Sequence, residues 1–112
     1  LMAWKQLGQL MPADTNAASL FSPTRGFEYR VDAIYITEVA AGTATYRVFI
    51  DDNGTTYSNA TAIVFDTAAV ASATVRLEGP FYMNNPAGNI AVRSSIANNI
   101  TFTAFGIERK VE

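Results

Sequence analysis

The chain has 112 residues, enough for one domain; 49% are apolar, only 16% are charged, and the net charge is −2. It contains neither Cys nor His, which excludes disulfides, thiolate and imidazole metal sites, the Ser-His-Asp triad and the Cys-His dyad. Its eight basic residues are scattered, so there is no basic stripe for nucleic acid, and no run approaches the ~20 apolar residues of a membrane-spanning helix.

In chain order, residues 1–22 are predicted as an N-terminal arm and entry loop, and residues 23–112 as a single β-sandwich domain. In the arm, Trp4, Leu7 and Met11 lie at i, i+3 and i+7 with Leu10 beside them, and Lys5, Gln6 and Gln9 fill the other side. This spacing predicts an extended or short helical arm, weakened by Gly8 and ended by Pro12. So short a helix is marginal in water, so the arm must dock on its own body or on a neighbouring subunit. Leu1–Trp4 is too short for a secretory apolar segment, and no signal peptide is expected. Leu20 and Phe21 form an apolar plug between two Pro-marked loops.

Phe27 to Asp51 is predicted as one long hairpin around an Ala-Ala-Gly-Thr connector. In its second run Tyr46, Val48 and Ile50 alternate with Thr45, Arg47 and Asp51, leaving Phe49 as the exception on the polar face. In the first run, Phe27, Tyr29 and Val31 hold odd positions and Ile34 and Ile36 even ones. That change predicts a bulge near Asp32–Ala33, or burial on both sides. Asp51-Asp52-Asn53-Gly54 is a turn signal. Thr55 to Thr61 reads as a polar loop or ragged strand, and Ala62 to Phe65 as a short strand. Ala73 to Glu78 alternates cleanly up to a break at Gly79–Pro80. A short piece Phe81 to Met83 follows, then a turn, then a strand from Asn89 to Ser95. The last strand, Ile100 to Glu108, points Ile100, Phe102 and Ala104 inward, while Phe105 and Ile107 break the pattern and suit a neighbouring strand or another subunit. Arg109 to Glu112 reads as a frayed tail. About seven or eight strands, with turns every 8–12 residues or so, define an all-β, antiparallel β-sandwich or jelly-roll-like fold.

Chemistry is sparse. Asp51 and Asp52 are adjacent, so on a strand they point to opposite faces and read as turn formers rather than an acid–base pair. Asp52-Asn53-Gly54 lacks the alternating ligands and closing Glu of a calcium loop. Glu28, Arg30 and Asp32 share one strand face, as an ion-pair ladder or a binding site. The Asn-x-Thr sequons at Asn53, Asn59 and Asn99 matter only in a eukaryotic secretory setting. Trp4, Phe49, Tyr57 and Tyr82 are candidates for a carbohydrate platform. No catalytic residue, metal or cofactor is expected.

The segments FIDDNGTTYSNATAIVFD and GNIAVRSSIANNITFTAFGIE, with WKQLGQLMPADTNAASLFSP at the start, resemble small structural proteins of tailed-bacteriophage virions. The resemblance implies a non-enzymatic jelly-roll-like virion component, made in the host cytoplasm and placed on the particle exterior, that acts as a homo-oligomer, commonly a trimer. Within that family the expectation is a capsid decoration (cement) protein contacting the major capsid protein, with a tail, neck or fibre component, including a glycan-binding module, as the alternative. The expected assembly surface comprises Trp4, Leu7, Leu10, Met11, Leu20, Phe21, Phe105 and Ile107.

Overall fold

The computed structural model describes residues 2–111. Among these there is no helix; the chain forms β1 (Met2–Leu10), β2 (Ala18–Phe21), β3 (Phe27–Glu38), β4 (Thr45–Asp51), β5 (Ala62–Ala68), β6 (Thr74–Met83), β7 (Asn89–Ser94) and β8 (Ile100–Lys110). They pair antiparallel in two four-stranded sheets, with strand orders β1-β8-β3-β6 (sheet A) and β2-β7-β4-β5 (sheet B). The sheets enclose one core. Sheet A contributes Tyr29, Val31, Ile34, Ile36, Ile100 and Phe102, and sheet B contributes Tyr46, Val48, Ile90 and Val92. The exposed surface is 5958 Å², close to the roughly 6,000 Å² that size scaling gives for a compact chain of this mass.

The predicted hairpin is a pair of strands that do not touch as partners. β3 lies between β8 and β6, and β4 lies between β7 and β5. The connector, residues 39–44, therefore arches from one sheet to the other. Alternation in each run reports which face is buried, and both runs bury that face against the opposite sheet; it carries no information about which strand lies alongside.

The change of face within β3 is a bulge. Its register against both β6 and β8 shifts between Val31 and Ala33. Val31 and Ile34 thus both reach the core although three residues apart. The extra residue fits because β8 supplies a glycine beside it: a Cβ on Gly106 would collide with the Arg30 carbonyl oxygen and come within 2.9 Å of the Val31 Cα.

Three further boundaries differ from expectation. Residues 2–10 take the extended rather than the helical form and dock on their own body: they are the edge strand of sheet A, paired with β8 from Met2↔Arg109 to Leu10↔Phe102. A register shift between Gln6 and Gly8 replaces the helical spacing: it turns Leu7 and Leu10 onto the core and leaves Trp4 outside. Gly8 serves this crossing, since a Cβ there would strike the Leu20 carbonyl of β2. The strand at Ala73–Glu78 does not stop at Gly79–Pro80 but runs on to Met83. β6 is an edge strand, where proline's missing N–H costs no ladder bond. Arg109 and Lys110 belong to β8, and the Val111 N–H donates to the Gly26 carbonyl at 2.9 Å; Leu1 and Glu112 lie outside the described residues.

Candidate functional site

The eight residues expected to form an assembly surface separate into three places. Leu20 and Phe21 are buried, and Leu7 and Leu10 pack against the same core. Trp4, Phe105 and Ile107 lie on the outer face of sheet A, and Met11 lies in the β1–β2 connection at one end of the sandwich. Two surfaces follow from this division.

The first is the outer face of sheet A. Register places Trp4 (β1), Ile107 (β8), Arg30 (β3) and Tyr82 (β6) in one row across all four strands. Trp4 is 78% exposed and Tyr82 72%, so large aromatics stand at both margins. The neighbouring row carries Met2, Arg109 and Glu28. Charges on this face are paired: Arg109 with Glu28, Arg30 Nε with Asp32 Oδ1 at 2.7 Å, and Arg76 Nε with Glu78 Oε1 at 3.1 Å. Further along, the Arg76 guanidinium stands over the Tyr35 ring, and Tyr35 meets Phe105 edge-on with ring centroids 5.6 Å apart. Between Met2 and Tyr82 lies an open depression of about 360 Å³, lined by Glu28, Arg30, Ile107, Arg109 and Asn84 among others.

The second surface is the end of the sandwich reached by every odd-numbered strand. Antiparallel alternation brings four connections there: residues 11–17, 39–44, 69–73 and 95–99. Backbone hydrogen bonds tie them together, from Asn98 N–H to the Pro12 carbonyl (2.9 Å), Val39 N–H to the Asn99 carbonyl (2.9 Å), and Ala69 N–H to the Ala44 carbonyl (2.9 Å). Each connection exposes one large apolar side chain: Met11, Val39, Val70 and Ile96. Asp14 is the only charged residue in these four connections. Beneath them Glu38, 2% exposed, accepts from the Ala40 N–H at 2.7 Å and from the Asn99 side-chain amide. That contact buries the Asn99 amide, so this sequon is closed in the folded chain.

Other sequence candidates have structural partners. The Asp51 carboxylate accepts the Asn53 and Thr56 N–H groups, each at 3.1 Å, and these bonds hold it below the usual carboxylate range. Phe49 faces away from the core yet is 2% exposed, because the loop of residues 52–61 folds over it. Tyr57 packs on its ring with centroids 6.2 Å apart and donates its hydroxyl to Asn89 at 2.9 Å. Phe49 and Tyr57 are thus removed from the exposed aromatic surface, while Trp4 and Tyr82 share one sheet face. On sheet B, Arg47 grips Asp66 through Nε and a second guanidinium nitrogen at 2.6 and 2.9 Å, lowering the carboxyl's pKa, and stacks 3.9 Å above the Phe65 ring. At the β1 edge, Glu108 accepts the Tyr29 hydroxyl at 2.6 Å and Lys5 Nζ at 3.2 Å, and both lower its pKa. Among the described residues no group of three or more acidic residues could hold a metal ion.

The sequence singled out Phe105 and Ile107 because each violates its strand's alternation, and Trp4 for its spacing with Leu7 and Met11. It did not single out the apolar end. The signal was present: in an antiparallel sandwich every second connection shares an end, and those connections carry Met11, Val39, Val70 and Ile96. The chain matches no protein-family model and no curated protein.

Proposed function

We propose that this chain is a non-enzymatic structural protein of tailed-bacteriophage virions, a capsid decoration protein that stabilises the head as a homo-oligomer, commonly a trimer. Three things support the reading. The sequence segments quoted above resemble such proteins. The strand order β1-β8-β3-β6 over β2-β7-β4-β5 is the order produced by winding four paired strands into a jelly roll, the fold the resemblance implies. The observation that carries the reading is the apolar end of the sandwich. Four separate connections each expose a large aliphatic side chain there, with a single charge among them. Such a patch is what a protein leaves when it works against another surface.

The mechanism is mass action. A protein that binds only the assembled shell lowers the free energy of that state by RT ln(1 + [L]/Kd) per site and so resists disassembly. The apolar end seats on the shell, and the long axis of the chain, 46 Å, stands away from it.

The test adds purified chain to heads that lack it and measures bound copies by sedimentation. Wild type binds saturably and protects heads against chelation and heat. Val39→Asp and Val70→Asp, at exposed positions that leave the core untouched, weaken binding by at least about tenfold, the cost of ~1.4 kcal/mol or more for burying an unpaired carboxylate. Wild-type binding by both variants, or no binding by the parent, overturns the proposal.

A further inference from the structure

We propose that the outer face of sheet A, between Tyr82 and Trp4, is a binding site for a neutral saccharide. It lies on a different surface from the apolar end and does not depend on the virion reading.

The face combines three features. First, two exposed aromatics stand at its margins in one cross-strand row. Three inter-strand steps separate them, roughly 14 Å, a span suited to a short oligosaccharide rather than a single ring. Aromatic faces pack against the C–H face of a pyranose and lose little entropy in doing so, because each ring has only two rotatable bonds. Second, the floor between them presents planar polar groups of both kinds. The guanidinium groups of Arg30 and Arg109 donate, the carboxylates of Glu28 and Asp32 accept, and the Asn84 amide does both. Sugar hydroxyls require this mixture, since each can donate and accept. Third, a depression of about 360 Å³ opens on the Tyr82 side of this row, lined by Tyr82, Arg30, Ile107 and Met2 but not by Trp4, and falls within the range of small-molecule sites, roughly 300–1,000 Å³.

Charge selects among ligand classes. Arg30 is paired with Asp32, Arg109 with Glu28 and Arg76 with Glu78, so the six charges on this face cancel locally. An anion meets no unpaired cation, and a cation meets no unpaired carboxylate. An apolar peptide or lipid would bury three ion pairs without replacing their hydration, a cost that Coulomb attraction rarely repays. A second protein surface is also disfavoured, because interface centres are depleted in charge. A neutral polyhydroxylated ligand can keep every pair intact while hydrogen-bonding to its outer atoms.

Each residue of this face has a defined place in the register, so binding can be read residue by residue. The ¹⁵N-labelled full chain is titrated with chitohexaose, cellohexaose, maltoheptaose and mannohexaose, and in parallel with a sulfated heparin hexasaccharide. At least one neutral oligosaccharide is expected to shift the backbone amides of residues 28–30, 82–84 and 107–109 saturably, with the heparin fragment weaker at the same amides. Tyr82→Ala and Trp4→Ala each weaken binding by about tenfold, the loss of one stacked aromatic. Both positions are exposed, so melting temperatures stay at the parent value, and Val70→Asp, at the opposite end, leaves saccharide binding unchanged. The proposal falls if none of the neutral panel shifts these amides, if the heparin fragment binds there more tightly, or if both alanine variants bind as the parent does.

Discussion

The residue that does most to hold the connections together is Glu38. It is a carboxylate on the core side of the last residue of β3, and its partners are N–H groups rather than a cation: Ala40 at 2.7 Å, Gly42 at 3.5 Å and the Asn99 amide. It thereby fixes the start of the β3–β4 arch to the β7–β8 connection, and so positions Val39 and Ile96 at the apolar end. Buried donors left without an acceptor cost about 1–3 kcal/mol each. Glu38→Ala is therefore expected to lower unfolding free energy by about 2–4 kcal/mol, measured by urea titration of the circular dichroism signal. Glu38→Gln, which keeps an acceptor oxygen, should recover part of that loss. A loss below about 1 kcal/mol for the alanine variant would show that water replaces the carboxylate and that the arch does not depend on it. Nothing in the alternation pattern marks Glu38, since a Glu at a strand end reads as a solvated residue; only the folded contacts show it buried.

At the scale of elements, β1 decides what the first eleven residues do. Leu7 and Leu10 pack on the core, and the strand covers the hydrogen-bonding edge of β8. Removal of residues 1–11 is expected to destabilise the fold itself, by uncovering both that edge and the apolar side chains beneath it. The melting transition should fall by well over the shift of about 4–8 °C that 1 kcal/mol produces in a domain of this size. A truncated chain that melts within a few degrees of the parent would mean β1 is a dispensable arm. The element types were largely legible, because alternation at residues 45–51 (Phe49 excepted), 73–78 and 100–104 dictates strands. Pairing was not, because β3 and β4 have the composition of a hairpin and differ from one only in crossing between sheets. The helical spacing of Trp4, Leu7 and Met11 misled for a physical reason: a bulge at Leu7 produces the same apolar order from a strand. Of the candidate surface, Trp4, Tyr82, Phe105 and Ile107 were singled out in the sequence, whereas that Arg30 and Tyr82 share a row with Trp4 follows only from a register no linear pattern encodes.

For the whole molecule, the distribution of titratable groups sets a broad stability plateau. The chain has no His, so no side chain with an ordinary pKa titrates between about pH 5.5 and 9. Asp51, Asp66 and Glu108 are all held below their ordinary values of 3.8, 3.8 and 4.5, by the Asn53 amide, Arg47 and Tyr29 respectively. A depressed carboxyl contributes stability that is fully present above its unfolded pKa and is lost as pH falls through its folded one, so this limb lies in the acid range below about pH 4. Tyr29, Tyr46 and Tyr57 are raised from 10.0, in each case chiefly by burial. A raised phenol contributes stability present below its unfolded pKa and lost as pH rises through its folded one, which places the opposite limb above about pH 10. The urea midpoint, taken at one fixed protein concentration so that self-association does not move it, is expected to be flat from about pH 5.5 to 9 and to fall on both sides. Asp66→Asn should make the acid limb shallower without moving the alkaline one, because its partner Arg47 stays charged throughout. A midpoint that slopes between about pH 6 and 7 would contradict this account, since no side chain of ordinary pKa in this chain titrates there.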